Sequence, residues 1–176
     1  MEKNPMQQIR IGKITINMGI GAPGDEMDRA QAIMEKIVGT KGVQTKAKVR
    51  LPTWDIRPGL PIGVKATLRK KKAMDFLKTC LAAKGSHLLI NNFDNRGNFG
   101  FGIHEYIDLP GIKYDPKLGI RGFDVLVSLE RPGYRVSKRK MGKKRVGLKH
   151  VVSKNEAIAF ISEQFGVRID DGKQKE

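Results

Sequence analysis

The periodicity of the apolar residues predicts an α+β fold, with an antiparallel sheet covered by helices on one face and a helix near the C-terminus. Three observations carry this expectation. Residues 12–18, 43–49 and 63–69 alternate between larger polar residues and smaller or apolar ones, the period of a half-buried strand. The stretches that follow the first and third of these repeat apolar residues at helical spacing. The polar positions of the strands are rich in Lys, Thr and Asn, so one side of the sheet reads as cationic and open to a ligand.

Taken in order, residues 1–9 form a loose lead-in. In the first strand Ile14, Ile16 and Met18 point one way, and Lys13, Thr15 and Asn17 the other. Pro23, Gly24 and Asp25 then start a helix, with the acids Asp25, Glu26 and Asp28 near its positive end. Met27, Ala30, Met34, Ile37 and Val38 form its buried stripe, and Gly39 ends it. In the second strand Gln44, Lys46 and Lys48 share the polar side. In the third, Val64, Ala66 and Leu68 face the core, and Lys65, Thr67 and Arg69 face away. Between these two strands, residues 50–61 exceed a usual hairpin loop, and such loops are functional or disordered. They carry the only tryptophan, Trp54, between Arg50 and Arg57.

A second amphipathic helix spans 70–84, with Ala73, Phe76, Leu77, Cys80 and Leu81 inside and Gly85 at its C-terminal cap. Residues 88–90 suit a short strand, and 91–102 are rich in Asn and Gly with Phe93, Phe99 and Phe101 interleaved. Residues 103–109 and 122–130 read as further strands, separated by Pro110-Gly111 and Asp115-Pro116. Ser153 and Glu156 form a capping-box pattern ahead of Ala157, Ile158, Phe160, Ile161 and Phe165. The order strand, helix, strand, strand, helix, strand is the split β-α-β pattern of ferredoxin-like and RNA-recognition-motif domains. The chain reads as one domain over 1–176, with a basic segment at 133–152 and a frayed tail at 170–176 as appendages.

A formal charge of +16 and an isoelectric point near 10.1 imply a polyanionic partner, either nucleic acid or an anionic membrane surface. No apolar run approaches the ~18 residues of a spanning helix, and residues 1–10 lack the apolar region of a signal peptide. A single cysteine, Cys80, excludes an internal disulfide framework and fits a reducing cytosol. In 133–152 the cations Arg135, Lys138, Arg139, Lys140, Lys143, Lys144, Arg145 and Lys149 occur without an acid, as in an extension that orders on a polyanion.

Gly19, Gly21 and Gly24 match G-x-G-x-x-G between a strand and a helix, a dinucleotide-binding spacing. Pro23 removes an amide donor there, and the next strand carries Lys46 and Lys48 where an acid should receive the ribose. The plain reading is a tight strand-to-helix turn. His87, His104 and His150 lack metal-ligand spacing, and Cys80 sits on an apolar stripe, so neither a metal site, a cofactor nor a catalytic group is expected.

Several blocks resemble a known family. Ile16-Asn-Met-Gly-Ile-Gly21, Thr45-Lys-Ala-Lys48, Pro61-Ile-Gly-Val-Lys-Ala-Thr-Leu-Arg69 and Gly97-Asn-Phe-Gly-Phe-Gly102 are similar, in order, to the universal large-subunit ribosomal protein number five. Ile112-Lys-Tyr-Asp-Pro116 and Arg131-Pro-Gly-Tyr-Arg-Val-Ser-Lys-Arg-Lys140 resemble its archaeal and eukaryotic branch. The resemblance implies a structural, non-enzymatic protein of the cytoplasmic ribosome. Its partners would be 5S rRNA in the central protuberance, large-subunit rRNA, peptidyl-site tRNA and a small-subunit protein across an intersubunit bridge. It carries 5S contacts onto Asn17 and Thr67, with Lys46, Lys65 and Arg69 adding charge nearby. A third family contact, usually Gln, falls at Thr40. The tRNA-touching loop maps onto 50–61, with Arg50, Thr53, Trp54, Ile56 and Arg57 as its contact residues. Bacterial members have a Phe where this chain has Trp54, Asp55 or Ile56. A nonribosomal basic RNA binder is the alternative reading of the same charge.

Overall fold

Five strands join in the order β2 (Val43–Lys46), β3 (Pro61–Leu68), β1 (Arg10–Gly19), β6 (Phe123–Glu130) and β5 (Phe99–Ile103), and every pairing between them is antiparallel. The computed structural model describes residues 4–21 and 23–170. Helix α1 (Asp25–Val38) links β1 to β2, and α2 (Lys70–Ala83) follows β3. Thus β1 and β2 bracket β3, while β3 and β6 bracket β1, which is the split β-α-β arrangement. The strand that completes it is β6. The segment directly after α2, β4 (His87–Leu89), instead pairs in parallel with β7 (Arg168–Asp170) in a separate two-stranded sheet. A short helix α3 (Arg135–Lys138) and the longer α4 (Lys154–Phe165) lie between β6 and β7.

The alternation works as the residues dictate. Ile14, Ile16 and Met18, Val64, Ala66 and Leu68, and Phe123, Val125 and Val127 are all buried in one core. Against them pack Met27, Ala30, Ile33 and Met34 of α1 and Ala73, Leu77, Cys80 and Leu81 of α2. Each large side chain taken from water contributes roughly 1.5–3 kcal/mol, so this shared face is what holds the helices to the sheet. Gly39 closes α1 in the left-handed region (φ 68°), its amide donating to the Glu35 carbonyl. At α4 the capping box is complete: the Glu156 amide donates to Ser153 Oγ, and the Ser153 amide to the Glu156 carboxylate. The Ser153 backbone bond holds the Glu156 carboxyl below its ordinary pKa, and Arg131, 2.7 Å away, acts in the same direction.

Three expectations are corrected. First, β2 ends at Lys46 instead of running to Val49. Second, residues 103–109 are not a strand: Ile103 is the last residue of β5, and Tyr106–Asp108 is a 3-10 turn. The glycines Gly100 and Gly102 disguised β5, whose Phe99, Phe101 and Ile103 alternate into the core. Third, Asp170 is paired within β7, and its carboxylate lies 2.6 Å from His87 Nε2; the tail beyond it, 171–176, lies outside the described residues. The basic segment touches the end of β6, where Lys138 Nζ donates to Glu130 at 2.6 Å, and His150 Nε2 lies 2.7 Å from the Pro132 carbonyl just beyond it; within the segment Arg139 Nε donates to the Gly142 carbonyl at 2.8 Å.

Candidate nucleic-acid interface

Residues directly opposite in an antiparallel ladder share a face, so the register draws the surface that the helices leave uncovered. One row across the sheet reads Gly102, Asp124, Asn17, Lys65, Val43. The next reads Gly100, Leu126, Thr15, Thr67. Beyond it Ser128 faces Lys13, with Arg69 just past the end of β3. Lys13, Lys65, Thr67 and Arg69 are exposed, and Asn17 and Thr15 are half-exposed. Every neighbour that alternates with them along β1 and β3, from Ile14 to Met18 and from Val64 to Leu68, is buried. Asn17, Lys65, Thr67 and Arg69 therefore lie on one open face, as the alternation predicted.

The second strand departs from the prediction. Gln44 pairs with Val64 on the helix side, where its amide donates to Gln31 of α1 at 3.4 Å. Val43 takes the place on the open face, opposite Lys65. A register shift between Thr45 and Lys46 then sets Lys46 opposite Pro61, and Lys48 lies past the end of the strand. So Gln44, Lys46 and Lys48 do not form one cationic side. Strict alternation cannot anticipate a bulge on a short edge strand. Lys46 is nonetheless exposed. Thr40 is exposed in the connection from α1 to β2, three residues before Val43 rather than on the sheet.

The open face also holds residues that the sequence reading passed over. Asp124 stands opposite Asn17 as an exposed carboxylate in a cationic surround. Leu126, half-exposed beside Thr15, leans over Gly100, where an added Cβ would meet its Cδ2 at 2.7 Å. Period-two alternation over 122–130 contained this signal, since Phe123, Val125, Val127 and Leu129 take the buried positions. Of the aromatic residues in and beside this sheet, Phe93, Phe99 and Phe101 stack within the core at 5.0 and 6.4 Å, and Phe123 is buried there too. The five strands present amides, hydroxyls and charges to a ligand, not rings for base stacking.

Residues 50–61 form an ordered finger. Leu51 and Ile56 exchange both backbone hydrogen bonds, at 2.9 and 3.1 Å, around a 3-10 turn at Pro52–Trp54. Asp55 occupies the left-handed region (φ 51°) to close it. At the base, the Ala47 amide donates to the Leu60 carbonyl and the Gly59 amide to the Ala47 carbonyl. Trp54 is 70% exposed at the tip, with Arg50, Thr53 and Arg57 exposed around it and Ile56 half-buried beneath. The indole thus stands bare on a support pinned by backbone hydrogen bonds. In the basic segment Arg135, Lys138, Arg139, Lys140, Lys143, Lys144 and Arg145 are all exposed.

The other candidate chemistry fails on geometry. The amides of Ile20 and Gly21 both donate to the Ile62 carbonyl and so are not free for an anion, and the acids Asp25, Glu26 and Asp28 crowd the start of α1. His87 and His150 bond to separate partners, and His104 follows the end of β5. Among the described residues no group of three His, Cys, Asp or Glu side chains is placed to hold a metal ion. Burial pushes the Cys80 thiol up to about 12, the opposite of an activated nucleophile. No helix among the described residues is long and apolar enough to cross a membrane.

Known proteins match this chain over almost its whole length. The family described as "Ribosomal protein L5" matches residues 4–57, and the one described as "ribosomal L5P family C-terminus" matches residues 61–163. "Large ribosomal subunit protein uL5" of Nanoarchaeum equitans is 49% identical over 168 residues, covering 95% of this chain and 99% of the relative. The protein of the same name from Methanococcus aeolicus is 48% identical over 172 residues, 96% of this chain and 95% of the relative. That from Sulfurisphaera tokodaii is 43% identical over 170 residues, 96% of each.

Proposed function

Because the chain belongs to the ribosomal protein L5 family, we propose that its open sheet face holds 5S rRNA in the central protuberance of the large subunit. The chain is a structural, non-enzymatic component of the large ribosomal subunit in the cytoplasm. The observation that carries the 5S reading is the uncovered row through Asn17 and Lys65 beside the row through Thr15 and Thr67. Neutral amides and hydroxyls suit ribose and phosphate oxygens, and the adjacent cations neutralise phosphates. Lys46, Arg69 and Thr40 at the margins extend the contact.

The Trp54 finger is the second contact, made with the peptidyl-site tRNA through Arg50, Thr53, Trp54, Ile56 and Arg57. Its pinned backbone limits the entropy lost on docking. The basic segment, from Arg135 to Arg145, lies against large-subunit rRNA. A bridge to a small-subunit protein follows from the family resemblance alone. The test of the central reading is competition between 5S rRNA and an unrelated folded RNA at rising salt. Retained preference for 5S rRNA supports it, whereas a parallel loss for both RNAs marks a purely electrostatic binder.

A further inference from the structure

A cleft of about 400 Å³ opens where the Lys13–Ser128 row of the open face meets the basic segment. Lys13, Arg69, Asn98, Ser128, Tyr134 and Lys138 line it. The one acid in its wall, Glu130, is neutralised on both oxygens: Arg10 donates to Oε1 at 3.3 Å and Lys138 to Oε2 at 2.6 Å. Glycine at position 12 permits this, because a Cβ there would meet the Glu130 Cδ at 2.7 Å. Lys13 and Arg69 form no ion pair among the described residues, so the cleft is net cationic. Tyr134 supplies an aromatic wall, backed by the His150 ring at 6.1 Å.

This combination occurs nowhere else on the uncovered sheet. Elsewhere the face presents no ring, so it can grip sugar and phosphate but cannot stack a base. At this end cations and a ring converge in a space that fits one nucleotide and excludes a duplex. We propose that the cleft takes a single unpaired nucleotide of the RNA held on the sheet. The phosphate lies against Lys13, Arg69 and Lys138, the base lies on Tyr134, and Ser128 and Asn98 are within reach of its polar edge. The site rests on the reading of the open face as an RNA surface, and it joins that face to the basic segment along one strand of RNA.

The test measures binding of the full-length chain to 5S rRNA, and to an unrelated single-stranded RNA, over a range of salt. Tyr134→Ala is expected to weaken 5S binding about ten-fold with an unchanged salt slope, and Tyr134→Phe to keep it. Ser128→Phe, which fills the cleft, is expected to match Tyr134→Ala. Lys13→Ala is expected to lower the salt slope by about one. Should Tyr134→Ala not fold, as read by thermal unfolding, Ser128→Phe decides the matter alone. Wild-type affinity in both Tyr134→Ala and Ser128→Phe overturns the proposal; if Lys13→Ala still lowers the slope, the cleft holds phosphate only. A wild-type chain that does not prefer 5S rRNA sinks the 5S reading instead. The cleft then stands only if Tyr134→Ala weakens binding to the single-stranded RNA, and falls if it does not.

Discussion

Asn17 and Lys65 stand directly opposite each other across the β1–β3 ladder, on the side of the sheet that no helix covers. The pair Thr15 and Thr67 is the next one on that face. Rows on one face lie about 7 Å apart and strands about 4.8 Å apart, so these four side chains span a patch of one or two nucleotides. A surface of this size is large enough to position a backbone and too small to read a sequence by itself.

Asn17→Ala and Thr67→Ala should each weaken 5S rRNA binding by ~1 kcal/mol, the scale of one lost hydrogen bond. Lys65→Ala should also lower the salt slope by about one, because it removes a phosphate contact. Filter binding at matched salt measures both effects. Unchanged affinity would remove the residue from the interface.

Asp124 is the acid beside Asn17 on this face, and a carboxylate repels phosphate that comes too close. Replacing it by Asn should raise affinity for unrelated RNA by about two- to five-fold, as one repulsive charge is lost. The preference for 5S rRNA should fall accordingly. A competition assay reads both quantities, and equal gains for all RNAs would show that Asp124 contributes no selectivity.

The Trp54 side chain is 70% exposed, so the fold buries little of it. Trp54→Ala should leave the unfolding midpoint and 5S affinity unchanged while weakening tRNA association with reconstituted subunits by about ten-fold. Deleting residues 53–59 should do the same to tRNA, at some cost in stability, because Gly59 donates to Ala47. Collapse of 5S binding in a folded deletion variant would contradict this division of labour.

Glu156 gains its stabilising role as an anion. The Ser153 backbone bond, Ser153 Oγ and Arg131 all lower its pKa, so its contribution is present above the ordinary carboxylate range and is lost as pH falls through the lowered value. Thermal unfolding should show the wild type more stable than Glu156→Gln near neutral pH, with the difference vanishing in acid. Ser153→Ala should cost about 1 kcal/mol through the lost cap.

Strands β1 and β3 were legible because strict alternation with large apolar residues leaves one register that buries them all. Thr67 and Asn17 fell on the open face for that reason alone. The capping box of α4 was equally plain, since Ser153 and Glu156 act within one turn. The misreadings have local causes. In β2 the face depends on its partner strand, and the shift at Thr45 and Lys46 is set by pairing, not by composition. In β5, Gly100 and Gly102 erase the polar half of the alternation, so 91–102 reads only as a stretch rich in Asn and Gly. The cleft at Tyr134 joins residues from β1 and β6, Arg69 just past β3, Asn98 just ahead of β5, and the basic segment, a juxtaposition that spacing along the chain does not encode.

The sharpest test sets one added negative charge on each side of the sheet. Thr67→Glu places it on the uncovered face and Ala32→Glu on the exposed side of α1, with the same change in net charge. At physiological salt, Thr67→Glu should lose more than about ten-fold in 5S rRNA affinity while Ala32→Glu stays near wild type. Equal losses in the two variants, or a greater loss for Ala32→Glu, would mean that the uncovered face is not where the RNA sits.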